Sequence, residues 1–128
     1  MTTWCEQTLV RAPLHIGLCT TEAEYMREMR KRRVRTPPEF PKWPTAARVS
    51  FFESPGERSI AMVCISPLVT KGWSRERVYA VLAHEAMHIW REIRGLLGEH
   101  DPSAEFEAYS MQSICEELFE AYAAKKKK

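Results

Sequence analysis

From residue 12 the run APLHIGLCT is apolar and β-prone over a length suited to a short strand. It gives way to TTEAEYMREMRKRR, whose threonine start (Thr20 or Thr21 as cap) and early Glu22 and Glu24 predict a helix over 20–33. Four prolines and two aromatics in TPPEFPKWPT (36–45) preclude regular structure there, so Phe40 and Trp43 are expected to pin an ordered connection. ARVSFFES (47–54) and RSIAMVCIS (58–66), parted by PGE, predict a hairpin. Val78, Leu82, Ile89, Ile93 and Leu96 then recur at helical spacing behind Ser74, a good cap, which predicts a helix from Arg75 to Leu97 with Gly98 as its stop. Asp101 and Pro102 mark the expected start of a last helix reaching about Ala124, with Ala108, Met111, Cys115, Leu118 and Tyr122 on its inner face.

This order of elements predicts an α+β fold: a small sheet with a packed helix, followed by two longer helices. The chain has 128 residues, 45% hydrophobic and 28% charged, which suits one globular domain over 1–128. Its 19 basic and 17 acidic side chains leave a net charge of +2. That balance carries no whole-molecule field toward nucleic acid or an anionic membrane, so both are set aside as main partners. Positive charge gathers in MREMRKRRVR (26–35) and the terminal KKKK (125–128), which read as a solvated helix face and a tail. The longest uncharged apolar run, SIAMVCISPLVT, is too short to span a bilayer, and the N-terminal residues lack the apolar core of a signal peptide. Cys5, Cys19, Cys64 and Cys115 are scattered without a C-x-x-C pair and read as buried free thiols. A soluble, cytoplasmic protein is the expectation.

The stretch VLAHEAMHIWREI (81–93) changes the picture, because it sets His84 and His88 one helical turn apart with Glu85 between them, among apolar neighbours that place them on the expected inner side of the helix. Residues four apart differ by about 40° around a helix axis, so both imidazoles project from one side and can share a metal ion. Glu85, about 100° further round, is placed to flank an open coordination position and act on a water there. A catalytic zinc wants three protein ligands and one open place. Glu105, 17 residues past His88 and expected on the inner face of the last helix, is the candidate third donor. Glu107 is its competitor, about 200° away from Glu105 around that helix.

With HEAMH at 84–88 and EFEAY at 105–109, the chain resembles the gluzincins, the thermolysin-like zinc peptidases whose pattern is H-E-x-x-H followed by E-x-x-A-D on a second helix. In size and helix phrasing it is also similar to small single-domain, phage-encoded zincin-like proteins. The resemblance covers residues 74 to about 124 and departs at Tyr109, where the family has the Asp that orients a ligating histidine. It implies a minimal zincin-like fold, Zn2+ held by His84, His88 and Glu105, and Glu85 as general base on a zinc-activated water in peptide-bond hydrolysis. A peptide or protein is the implied substrate, paired along a sheet edge for which 58–66 is the expected strand. His100, Tyr109 and His15 are the candidates for an oxyanion donor. For a phage-encoded chain the host cytoplasm is the implied location. The alternative is a zinc-binding regulatory or assembly module with little peptidase activity, its basic helix at 26–35 contacting a partner; a third reading is nucleic-acid binding through that same helix.

Overall fold

The computed structural model describes residues 1–5, 13–53 and 56–126. Ala12 of the first expected strand, Ser54 and Pro55 at the hairpin turn, and Lys127 and Lys128 of the tail lie outside the described residues. In chain order the elements are β1 (Thr3–Trp4), β2 (Leu14–Cys19), α1 (Glu22–Lys31), β3 (Ala47–Phe52), β4 (Ser59–Ile65), α2 (Arg75–Leu97) and α3 (Ala104–Lys126). They make an α+β fold around a mixed sheet of order β1-β2-β4-β3. The two-residue β1 has no counterpart among the expected elements.

β2 and β4 run parallel at the centre, with Ile16 opposite Ala61 and Leu18 opposite Val63. β1 and β3 flank them antiparallel. The expectation that 58–66 forms the edge is corrected: β4 lies between β2 and β3, buried along nearly its whole length, and the edges are β3 and the two-residue β1. The reason is visible in composition, because SIAMVCI is apolar at nearly every position and needs cover on both faces, whereas ARVSFF puts Arg48 and Phe51 in solvent.

Alternation along the central strands divides the interior into two cores. Leu14, Ile16, Leu18, Ala61, Val63 and Ile65 meet α2 and α3 on one side. Cys19, Ile60, Met62 and Cys64 meet Tyr25 and Met29 of α1 and Phe40 of the proline-rich connection on the other. Phe40 thus pins that connection as expected, while Trp43 does not: it is 79% exposed. All four cysteines are free thiols, and three of them are buried.

Local signals fix the helix ends. Thr21 Oγ1 accepts from the Glu24 N–H at 3.1 Å, and Ser74 Oγ accepts from the Arg77 N–H at 3.1 Å. At the start of α3 the cap is Ser103, whose Oγ accepts from the Phe106 N–H at 3.2 Å, instead of Asp101. The C-terminal ends of α1 and α2 share one geometry. At α2, Gly98 takes a left-handed backbone (φ 72°) while the Glu99 N–H returns to the Arg94 carbonyl. At α1, Arg33 takes the same place (φ 57°) while the Val34 N–H returns to the Met29 carbonyl. A side chain in that conformation costs roughly 1 kcal/mol more than glycine.

Two further features join the layers. Gly17 faces Trp4, and a Cβ there would lie 2.9 Å from the Trp4 ring. Trp4 in turn stacks on His15 at 4.5 Å between ring centroids, with the Arg32 guanidinium 5.3 Å from its own ring centroid. Lys125 is not part of a solvated tail, since its Nζ reaches Glu24 Oε2 of α1 at 2.5 Å.

Candidate metal centre

The stripe of α2 that faces inward holds Val78, Leu82, Glu85, Ala86, Ile89, Trp90 and Ile93. His84 and His88 lie outside it and are exposed, which corrects their expected inner placement. The wheel accounts for this, because His84 follows Leu82 by about 200° and so turns away from the core. Their rings remain neighbours, 5.1 Å apart between centroids with planes at 68°.

Glu85 is the inward member of the motif and is 5% exposed. Burial pushes its carboxyl above the usual range, while the neighbouring His84 and His88, the Val49 backbone N–H and Arg48 pull the other way. Val49 and Arg48 belong to the edge strand β3, so the carboxylate lies between the histidine helix and the free edge of the sheet. Neither residue was singled out from the sequence. The alternation in ARVSFF was the available sign that this strand, and not β4, lies at the edge.

The third candidate is placed differently from expectation. Glu105 and Ala108 are exposed on α3, and the buried positions of that helix are Ile114, Leu118, Ala121 and Tyr122. Glu107 is the carboxylate that meets α2: its Oε2 accepts from Trp90 Nε1 at 2.8 Å and lies 3.6 Å from Arg94 Nη1. α2 presents Trp90 and Tyr79 to α3, through Phe106, Phe119 and Tyr122. His88 precedes Trp90 by two residues and so projects about 160° away from that contact. Among the described residues, no three His, Cys, Asp or Glu side chains gather closely enough to hold a metal ion together. The histidine pair fits two positions of a zinc shell by donor type and spacing, and this arrangement does not bring Glu105 to it.

Of the oxyanion candidates, His15 is eliminated, because it stacks on Trp4 across the sheet from α2. His100 is exposed in the connection between α2 and α3, and Tyr109 is 59% exposed on α3. No helix among the described residues is long and apolar enough to cross a membrane.

No protein-family model, no curated protein and no solved structure matches this chain.

Proposed function

We propose that the chain is a zinc-dependent peptide hydrolase of minimal gluzincin type, working at His84, Glu85 and His88. The observation that carries this reading is the side-by-side histidine pair with a buried carboxylate between it and the free edge of β3. Zinc, when bound, acts as a Lewis acid that polarises a carbonyl and makes water more acidic. The imidazoles of His84 and His88 hold the ion from one side of α2. Glu85 accepts the proton of the attacking water and returns it to the leaving amine, a task suited to a carboxyl whose pKa is raised by burial. The outward backbone groups of β3 that Glu85 leaves open, the Val49 N–H being engaged by it, pair with an extended substrate and align its scissile bond along the edge.

Glu105 is proposed as the third ligand on the strength of the sequence pattern alone. Its exposed place on α3 favours the second reading, a zinc-binding regulatory or assembly module that uses only the two histidines. Metal content and one substitution separate these. Purified protein given zinc should retain one ion per chain and lose it on His84→Ala. Glu85→Gln should keep the ion and abolish cleavage of a denatured protein substrate that the parent cleaves. Zinc bound without cleavage by either form leaves the module, and no zinc bound removes both readings.

A further inference from the structure

The run 27–35 contains six cations, and the structure divides them. Arg32 turns inward, with its Nε on Glu28 Oε1 at 3.2 Å and its guanidinium over Trp4. Glu28, the run's only acid, is buried and committed to Arg32. Arg27, Arg30, Lys31, Arg33 and Arg35 are all exposed, and none makes an ion pair or side-chain hydrogen bond with a described residue. Arg27, Arg30 and Lys31 share one face of α1 by their i, i+3, i+4 spacing, and Arg33 and Arg35 follow within four residues of the helix end, both exposed.

Arg33 adds an independent observation. The matching position at the end of α2 is Gly98, the residue that backbone geometry favours. An arginine held there is not explained by stability, and its direction is set by a hydrogen-bonded turn. Among the described residues, the acids on the β3–β4 connection are Glu53 and Glu57, and neither pairs with the five cations.

We propose that this surface of α1 binds the phosphate backbone of nucleic acid without reading sequence. Four of the five groups are guanidinium forks, which match phosphate oxygens in pairs. The patch offers no apolar anchor, since Met26, Met29 and Val34 turn toward the interior. A membrane-surface helix needs an exposed apolar face, and a protein partner needs buried anchors at its centre. A phosphate backbone needs neither. The surface lies across the sheet from the histidine pair and does not depend on the zinc reading.

The test is fluorescence anisotropy of the full chain with a labelled random-sequence duplex, titrated between about 50 and 200 mM salt. Affinity should fall with a log–log slope of about −3 to −4, in keeping with three to five phosphates neutralised. Combined Arg30→Gln, Arg33→Gln and Arg35→Gln should weaken binding at least about tenfold at the lowest salt and flatten the slope by about 2 or more. Combined Lys71→Gln, Arg75→Gln and Arg91→Gln removes the same charge elsewhere and should change affinity far less. Arg33→Gly alone should weaken binding while raising the unfolding midpoint, a pairing that general damage to the fold would not produce. Absence of binding at the lowest salt, an equal loss in the two triple variants, or retention on anionic lipid vesicles in place of the duplex would overturn the proposal.

Discussion

The indole N–H of Trp90, buried in α2, donates to Glu107 of α3 at 2.8 Å. The same carboxylate oxygen lies 3.6 Å from Arg94, and the Trp90 ring meets Phe106 edge-on at 5.6 Å. Glu107 therefore fastens the two long helices together at the end where their connection turns.

Removing that acceptor leaves a buried donor without a partner. Glu107→Ala is expected to lower the unfolding free energy by about 1–3 kcal/mol, and Glu107→Gln, which keeps a carbonyl oxygen, by less. Urea titration of the two variants beside the parent measures both. Equal stability of all three would mean that water replaces the carboxylate at no cost.

The ligand question is settled by a second use of these positions. If Glu105 completes the zinc shell, Glu105→Gln should weaken zinc binding about tenfold or more against a competing chelator. Glu107→Gln should leave zinc affinity nearly unchanged although it loosens the helix pair. No effect from Glu105→Gln restricts the protein's own donors to His84 and His88.

Gly17→Ala places a methyl 2.9 Å from the Trp4 ring and 3.2 Å from Thr2 Cγ2. The expected loss is about 1–3 kcal/mol, as for other overpacked sites, because Trp4 must leave its stack with His15. In a Trp4→Ala background the same change should cost much less, and a double-mutant cycle on denaturation midpoints reads the difference. Additive losses would assign the strain to the strand itself.

What the sequence made legible follows from how many signals agreed at each place. For α2, a cap at Ser74, a stop at Gly98 and one apolar stripe all coincide, and its bounds emerge from pattern alone. α3 carries Phe106, Tyr109, Met111, Ile114, Cys115, Leu118, Phe119 and Tyr122 around much of its circumference, so several stripes fit equally. The stripe through Ala108 and Cys115 puts Glu105 inward, but the structure buries Ile114, Leu118, Ala121 and Tyr122 and turns Glu107 to α2. The histidine spacing was legible, because it depends on a helix four residues long. The pair faces solvent, against the inner placement its apolar neighbours suggest, and Leu82, two residues before His84, gives the reason by pointing the other way. The role of β3 depends on strand order, which pairing with β4 decides and no local signal spells out in full.

Stability should also depend on pH through Glu117. Burial, with Glu120 and Glu116 adding to it, raises its carboxyl from the usual range to about 7. The folded chain therefore holds this proton to higher pH than the unfolded chain does. The contribution is fully present below the unfolded pKa and is lost as pH rises through about 7. Glu117→Gln should accordingly raise the thermal midpoint at pH 8 relative to the parent and change it little at pH 4. Since the side chain is only partly buried, a shift of a few degrees is the expected size. A variant that gains nothing at pH 8 would show that solvent screens the group.

The free edge of β3 has a consequence for the protein in concentrated solution. All six residues of β3 pair with β4, so only alternate backbone groups turn outward, and those other than the Val49 N–H engaged by Glu85 form a short template on which a second chain can add a strand as readily as a substrate can. Little on that strand discourages such growth: Arg48 is its one charged side chain, and Phe51 is exposed beside it. Whatever occupies the edge, substrate or partner, therefore also shields the molecule from stacking upon itself.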